Sequence, residues 1–167
     1  TWYDPAAGMG NFHIALYLKL YESLKSIIPN DNDRKKHIIE NMLYFGELNK
    51  KNCFIIKQLF NINNEFKLNL HEGDTLKINL KKVFKVNSFD VIIGNPPYNK
   101  LLTKTGATPL YNEFIEYYVD KCNILSFVVP SRWFSGGKGL DSFRKMMLGR
   151  TDIVYINHID NASDIFG

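Results

Sequence analysis

The residues best suited to chemistry are Asn95-Pro-Pro-Tyr98, which follow a short apolar run, Val91 to Ile93. The run is long enough for a buried strand, and it must end at Gly94 because proline offers no backbone donor to a sheet. Two prolines fix φ at successive residues and hold the turn rigid. The Asn95 amide oxygen and the Pro96 carbonyl can each accept one N–H, while the Tyr98 ring stacks on a heterocycle. The turn therefore predicts recognition of an amino group on a planar ring, although a plain Pro-Pro turn after a core strand remains an alternative.

A second candidate site is the glycine-rich stretch Asp4-Pro-Ala-Ala-Gly-Met-Gly-Asn-Phe12, which lies between an apolar strand pattern and a helical repeat. Gly8 and Gly10 allow the backbone to approach a ligand closely. A dinucleotide fingerprint would read G-x-G-x-x-G, but here His13 takes the place of the third glycine. The acid at the strand tip, Asp4, repels pyrophosphate and suits a ligand with an ammonium group. A tight turn with a satisfied aspartate is the structural alternative.

Two further acids follow predicted strands. Glu47 closes the strand pattern of residues 42–46, and Asp74 follows the alternating pattern of residues 66–70. Carboxylates at such strand tips accept ribose hydroxyls in nucleoside-binding sheets, and Glu47 is the candidate for that role. Asp4, Glu47 and Asp74 thus end three successive strands before a fourth ends in Asn95. The carboxyl edge of an open α/β sheet is where ligands bind, so these residues predict one site.

The rest of the chain supplies the elements that must position this edge. The apolar spacing predicts helices at 49–61, 109–121 and 136–148, a fifth strand at 124–129 and a sixth at 153–159. Residues 29–36 are predicted to be a polar loop, residues 37–41 a short helical or irregular segment and residues 81–85 a solvated connection. Residues 99–108 are predicted to form a polar loop whose Lys100 and Lys104 could reach phosphates.

Length, charge and residue content limit the kinds of protein and site that this chain can be. The length of 167 residues fits one domain, and a net charge of +4 is compatible with a polyanionic partner without requiring one. Cys53 and Cys122 form no C-x-x-C pattern and the four histidines are scattered, so no metal site is predicted. No run approaches the roughly 20 apolar residues that span a bilayer, so we expect no membrane partner. The two separated cysteines suggest no disulfide framework, so we expect a reducing cytoplasm. The chain starts in a strand pattern without methionine, and we expect a fragment.

These motifs together make the sequence similar to the amino-group DNA methyltransferases, especially the adenine-N6 enzymes of restriction-modification systems. The resemblance rests on residues 4–12 for the first cofactor motif, Phe45-Gly-Glu-Leu48 for the second, Gly73-Asp74 for the third and Asn95-Pro-Pro-Tyr98 for the catalytic motif. The order of the motifs is that of the gamma arrangement. Residues 126–134 and 161–167 also resemble later parts of such enzymes, so the resemblance covers nearly the whole chain.

The resemblance implies an α/β three-layer sandwich around a mostly parallel Rossmann-like sheet, incomplete at both ends. Residues 1–167 would be the catalytic core, because the family's segment before the first strand, its last antiparallel strand beside the fifth and its target-recognition domain are absent. It implies S-adenosylmethionine as cofactor and duplex DNA with a flipped adenine as substrate, in a bacterial-type cytoplasm at the nucleoid. The catalytic residues would be Asn95, Pro96, Pro97 and Tyr98. The cofactor would lie against Asp4, Pro5, Ala6, Gly8, Gly10, Phe12, Glu47, Leu48, Asp74 and Asn95.

Within that resemblance, Asp4 is expected near the methionine end of the cofactor, Glu47 on the ribose and Asp74 on the adenine amine. Other substrates share the Asn-Pro-Pro-Tyr turn: a glutamine side chain in a protein, a structured RNA, or the N4 amine of cytosine. A non-catalytic module that only binds nucleic acid or a partner subunit is a further alternative. Intact acceptors at Asn95 and Pro96 favour an enzyme over such a module. The target sequence, a fused nuclease and the oligomeric state are not encoded in any motif.

Overall fold

The computed structural model describes residues 1–100 and 107–161 of the chain. Its strands in chain order are β1 Trp2–Asp4, β2 Leu43–Glu47, β3 Asn69–Glu72, β4 Phe89–Gly94, β5 Asn99–Lys100, β6 Thr108–Pro109 and β7 Cys122–Phe127. Five of them form one sheet in the order β3-β2-β1-β4-β7, and every neighbouring pair in it is parallel. The short β5 and β6 form a separate antiparallel ladder. The predicted α/β class with a mostly parallel sheet is confirmed.

The described residues contain six α-helices: α1 Asn11–Ser23, α2 Asp31–His37, α3 Lys50–Asn61, α4 Leu80–Phe84, α5 Tyr111–Tyr118 and, after the last strand, α6 Asp141–Gly149. A π-helical turn, Ile38–Met42, leads into β2, and 3₁₀ turns lie at Thr75–Lys77 and Ser131–Phe134. The side chains of Asn30, Asn49 and Asn79 accept N–H groups in the first turns of α2, α3 and α4. Such caps satisfy donors that a helix start leaves unpaired.

Both faces of the sheet are covered, which makes the three layers. Strand side chains alternate between the faces, so Leu43 and Phe45 pack with Ile56 and Phe60 on one side. On the other side, Tyr44 packs in a second core, whose buried members are Tyr3, Tyr44, Ile78, Leu80, Phe89, Ile92, Phe114 and Tyr118. Helices α1 and α3 therefore cover one face, and α4 and α5 cover the other.

The strand order places a crevice between β1 and β4. From β1 the chain moves outward through β2 to β3, and it then returns to place β4 on the opposite side of β1. At such a reversal the connections leave in opposite directions, which opens a ligand crevice at the carboxyl ends of the two strands. The sheet thereby provides the edge that the sequence motifs predict.

The predicted sixth strand is wrong. Residues 153–159 form no strand, and Val154 and Tyr155 are 96% and 79% exposed. The alternating apolar pattern favours an extended chain, but a strand also needs a neighbour whose backbone groups it can pair with. Within the described residues, β7 has β4 as its partner and residues 153–159 pair with neither.

Several other helices and strands have bounds that differ from the predicted ones. The predicted polar loop 29–36 contains the start of α2, because Asn30 caps a helix there, and the predicted connection 81–85 lies largely in α4, capped by Asn79. The third strand lies at Asn69–Glu72 rather than 66–70, and the last helix starts at Asp141 rather than 136. Lys100 and Thr108 pair in the β5–β6 ladder. Lys104 and Gly106, with residues 162–167 of the last matching segment, lie outside the described residues.

No helix within residues 1–100 and 107–161 combines the length and the apolar character needed to cross a bilayer.

Candidate active site at the carboxyl edge of the sheet

Most of the predicted site residues lie at one edge of the sheet. Asp4 is the last residue of β1, Glu47 is the last residue of β2, and Asn95 directly follows β4. Because β1 pairs in parallel with both β2 and β4, these three strand ends are neighbours. The acid predicted for the third strand, Asp74, lies two residues beyond β3. The structure therefore brings the motifs together from positions far apart in the chain.

The glycine-rich turn after β1 is built from left-handed residues. Gly8 and Gly10 have φ values of 57° and 89°, which side chains rarely adopt, and Gly10 caps α1. The Ala7 N–H donates to the Gly46 carbonyl at 3.0 Å, which ties the turn to β2. A Cβ at Gly8 would meet nothing within 4 Å. The turn thus leaves an open space beside its backbone, as a close-fitting ligand requires.

Glu47 holds the turns after β1 and β2 together. Its side chain is 8% exposed, and its Oε2 accepts the Gly8 N–H at 2.7 Å while Oε1 accepts the Asn49 N–H at 2.7 Å. Each carboxylate oxygen has more than one lone pair, so both can still accept a hydroxyl. Glu47 is therefore fixed in place at the sheet edge and retains acceptor capacity for a diol.

Asp4, at the end of β1, is a buried carboxyl whose pKa is raised. Its Oδ1 accepts the Ala6 N–H at 2.9 Å, whereas its Oδ2 is buried without a hydrogen-bond partner in the described structure. Burial raises the pKa of Asp4 to about 7, the Ala6 hydrogen bond opposes that rise, and the charge of Glu47 adds to it. A buried carboxyl with one free oxygen is stabilised in its charged form by a cation beside it. The free Oδ2 therefore fits as the acceptor of a hydrogen bond from an ammonium group.

Gly94 makes room for Asp4 at the end of β4. A Cβ at position 94 would lie 2.6 Å from the Asp4 Oδ1 and 3.5 Å from a ring carbon of Phe127. A side chain there would displace the carboxylate. The glycine before the Asn-Pro-Pro-Tyr turn therefore links the two motifs sterically, across the crevice between β1 and β4.

The other predicted cofactor residues are more exposed. Asp74 caps the turn Thr75–Lys77 by accepting the Leu76 N–H at 3.1 Å, and it pairs with Lys77 at 3.1 Å. Leu48 and Phe12 are 72% and 41% exposed, although they are apolar. Exposed apolar side chains at a concave edge can pack on an aromatic ring. The cofactor-binding roles of Asp74, Leu48 and Phe12 stay predictions.

The Asn-Pro-Pro-Tyr turn is anchored at both ends. At its start, the Gly94 carbonyl accepts the Val128 N–H at 3.0 Å, and at its end, the Tyr98 carbonyl accepts the Leu110 N–H at 3.0 Å. Pro96 is buried, whereas Asn95 and Tyr98 are exposed, Tyr98 by 39%. The turn thus presents an amide and an aromatic ring to solvent on a fixed backbone.

Two residues that support the first turn carried no sequence signal. Thr75 donates its hydroxyl to the Pro5 carbonyl at 2.7 Å, and Tyr118 donates its hydroxyl to the Thr75 carbonyl at 2.6 Å. This chain of hydrogen bonds joins α5 to the turn after β1. Because Thr75 and Tyr118 stand 43 positions apart, no local spacing could have identified the pair.

His13, which replaces the third glycine of a dinucleotide fingerprint, is structural. Its ring is fully buried, stacks on Phe45 with 3.8 Å between centroids, and places Nε2 2.8 Å from the Tyr44 carbonyl. Nε2 must carry the proton because a carbonyl only accepts, and burial lowers the pKa of the ring to about 4. The neutral ring joins α1 to β2, as expected of a structural histidine.

A groove of about 340 Å³ lies elsewhere, between α1, α3 and the loop after α3. Its lining is mainly apolar and includes Tyr17, Ile39 and Phe60. None of the predicted site residues lines it. The candidate site is therefore the open crevice at the sheet edge.

The chain was compared with known proteins, and a family model matches most of its length. The model of the family described as Eco57I restriction-modification methylase matches residues 12–166. An uncharacterized adenine-specific methylase of Mycoplasma pneumoniae is 22% identical over 237 residues, which cover 99% of this chain and 56% of that protein. The chain therefore spans about half the length of this curated relative.

The fold is similar to solved modification proteins. A modification subunit of a putative type I restriction enzyme from Vibrio vulnificus YJ016 superposes with a TM-score of 0.63 at 18% identity, over 88% of this chain and 33% of that chain. The M protein of the type I restriction enzyme EcoKI superposes with a TM-score of 0.60 at 21% identity, over 83% of this chain and 32% of that chain. At these identities the likeness shows the fold alone.

Proposed function

The chain belongs to the Eco57I restriction-modification methylase family, and on that premise we propose that its protein methylates the N6 amine of adenine in DNA, with S-adenosylmethionine as the methyl donor. The observation that carries the proposal is the Asn95–Tyr98 turn, which is fixed at both ends and lies at the same sheet edge as the buried acids Asp4 and Glu47. The adenine-specific methylase among the relatives supports adenine as the target base.

The residues of the edge fit the proposed cofactor. The free Oδ2 of Asp4 would accept a hydrogen bond from its ammonium group, Glu47 would accept hydrogen bonds from its ribose hydroxyls, and the open backbone at Gly8 would allow a close approach. Asp74 would accept a hydrogen bond from the adenine amine, and the exposed Leu48 and Phe12 would pack on the ring. When bound, the cofactor supplies an electrophilic methyl group on a sulfonium.

The turn after β4 prepares the amine. An exocyclic amine is a poor nucleophile because its lone pair is delocalised into the ring. The Asn95 amide oxygen and the Pro96 carbonyl accept its two hydrogens, which favours sp³ geometry and frees the lone pair for in-line attack. Tyr98 stacks on a base that is flipped out of the duplex, and Pro97 keeps the turn rigid. Since Asn95 is exposed, the proton released after transfer can leave to water.

We assign the protein to a restriction-modification system. Its structural neighbours include modification subunits of type I restriction enzymes, which supports assembly with a recognition domain or subunit outside these residues. The match to the restriction-modification methylase family supports a bacterial-type cytoplasm as its location.

The test is methyl transfer by the full-length protein that contains this chain. Labelled S-adenosylmethionine and duplex DNA of varied sequence are incubated with the protein, and digested nucleosides are separated. Label in N6-methyladenine is expected. It should be lost in Asn95→Ala and kept in Asn123→Ala, a matched control on the exposed start of β7. Label at cytosine N4 would change the assigned base, label in protein would favour glutamine, and no label anywhere would refute the proposal.

A further inference from the structure

The segment 131–150, which follows β7, has a strong excess of positive charge. It carries five Lys or Arg residues and one Asp, a net charge of +4 that equals the charge of the whole chain, so the remaining residues balance. These charged residues are Arg132, Lys138, Asp141, Arg144, Lys145 and Arg150. A local excess of this kind marks a surface that attracts polyanions.

The segment starts beside the catalytic turn. The Val128 N–H that binds the Gly94 carbonyl belongs to the chain leaving β7, three residues before the 3₁₀ turn Ser131–Phe134. In that turn Trp133 is buried against a cluster of Tyr111, Ile115, Leu140 and Phe143. Its neighbours Arg132 and Phe134 are exposed. A buried anchor thus fixes an outward-facing arginine near the proposed active site.

Arg132 lies close to the residues that fix Tyr98. Burial raises the pKa of the Tyr111 hydroxyl, and the positive charge of Arg132 acts against that rise. The residue before Tyr111 is Leu110, whose N–H donates to the Tyr98 carbonyl at 3.0 Å. Because Trp133, the residue after Arg132, packs in the same buried cluster as Tyr111, Arg132 lies near the start of α5, one residue from the backbone contact to Tyr98.

The loop 136–139 adds a second cation on an open backbone. Gly136, Gly137, Lys138 and Gly139 have φ values of 73°, 76°, 49° and 81°, so four successive residues are left-handed. A lysine in this region is uncommon, and such strain concentrates at functional sites. A Cβ at Gly137 or Gly139 would meet nothing within 4 Å. A hydrogen bond links the loop to the start of α6: the Asp141 Oδ1 accepts the Gly137 N–H at 2.9 Å.

These two cations are available to a partner. Within residues 1–100 and 107–161, the ion pairs shorter than 4.0 Å that involve this segment all belong to Arg150, which binds Asp120 and Asp152. Arg132 and Lys138 are exposed and pair with no carboxylate of the described residues. Unpaired guanidinium and ammonium groups are the side chains that bind phosphate oxygens.

We propose that Arg132 and Lys138 bind backbone phosphates of the DNA next to the flipped adenine. This inference rests on the proposed function and deepens it, because it assigns the surface that holds the duplex against the crevice. Such contacts set the position of the duplex and carry no sequence information. Their contribution should therefore be equal for duplexes of unrelated sequence.

The experiment compares the full-length protein with its Arg132→Gln, Lys138→Gln double variant. Affinity for two short labelled duplexes of unrelated sequence is measured by anisotropy across a salt series. Each phosphate contact contributes about −0.9 to the slope of log affinity against log salt concentration, so the double variant should be flatter by about 1.8. Between about 50 and 200 mM salt, the ratio of wild-type affinity to variant affinity for DNA should therefore shrink about 12-fold. Lys81→Gln, an exposed position in α4 before β4, serves as the control and should leave the slope unchanged.

The outcomes separate this inference from the proposed function. An unchanged slope in the double variant, with methyl transfer to DNA intact in the wild type, overturns the phosphate contacts alone. A loss confined to one of the two duplexes would indicate base contacts and also overturns them. A wild type that neither binds nor methylates DNA overturns both proposals.

Discussion

Replacing Asp4 by asparagine should make the stability of the protein less dependent on pH while weakening its binding of the cofactor. The pKa of this carboxyl rises from 3.8 to about 7 on folding, chiefly because the side chain is buried. Between these values the folded state binds more protons than the unfolded state, so the free energy of unfolding falls as the pH rises through this window. The loss reaches its full size above pH 7.

The magnitude follows from the shift. About three pKa units at about 1.4 kcal/mol each correspond to about 4 kcal/mol. Asp4→Asn keeps an acceptor for the Ala6 N–H but cannot ionise. The amide adds a constant offset of about 1 to 3 kcal/mol because its N–H₂ group is buried without an acceptor. The difference in unfolding free energy, variant minus wild type, should therefore rise by about 4 kcal/mol between about pH 4 and pH 8, whatever the offset.

Urea denaturation of both proteins across this pH range gives the difference directly, and titrations common to both cancel. Calorimetry at pH 8 should show weaker binding of S-adenosylmethionine by the variant, by about 1.5 to 3 kcal/mol for a lost charge-assisted contact. Glu22→Gln, an exposed carboxylate in α1, is the control and should change stability by no more than about 0.5 kcal/mol. A stability difference that stays constant with pH would refute the buried neutral Asp4, and unchanged cofactor affinity would remove it from the site.

Five further substitutions, at four positions, probe the edge and the helix that supports it. Asn95→Ala should lower methyl transfer about 100-fold to 1,000-fold with cofactor affinity kept, because one of two acceptors at the amine is lost; near-normal transfer would exclude this role. Tyr98→Phe should be mild, whereas Tyr98→Ala should weaken DNA binding by about 1 to 3 kcal/mol through lost stacking, and equal effects of the two would argue against a stacking ring. Glu47→Ala should weaken cofactor binding by about 1.5 to 3 kcal/mol in calorimetry, and an unchanged affinity would show that the ribose lies elsewhere. Tyr118→Phe should lower unfolding stability by about 0.5 to 1.5 kcal/mol, because its hydroxyl no longer reaches the Thr75 carbonyl; a neutral result in urea denaturation would show that this bond is not needed.

The elements near the site could be predicted because their signals are local. Prolines after Ile93 end β4 wherever the strand lies in the sheet, and the glycines at positions 8 and 10 permit a turn that other residues resist. Helix α3 was also predicted nearly to the residue, since Asn49 is a cap and the apolar spacing is helical. Such features depend on neighbours in the chain alone.

One failure has a non-local cause, and the other has a local one. Residues 153–159 alternate like a strand, yet they form none, because pairing depends on another strand that local sequence does not specify. The start of α2 was predicted as a loop because its residues are charged and polar, although the Asn30 cap and the ion pairs from Asp31 to Arg34 and Lys35 stabilise a helix.

The α/β class, the turns and the chemical types at the strand ends could be predicted from local sequence, since strand breakers and alternation act over a few residues. The position of β1 between β2 and β4 depends on packing between distant segments, and it brings Asp4 beside Gly94 and couples its charge to Glu47. The same packing buries Asp4 and brings the charge of Arg132 to bear on Tyr111, whose neighbour Leu110 binds the Tyr98 carbonyl. The burial of a side chain, its pKa and its neighbours all depend on which distant segments pack together. That packing is determined by contacts throughout the core and not by local sequence.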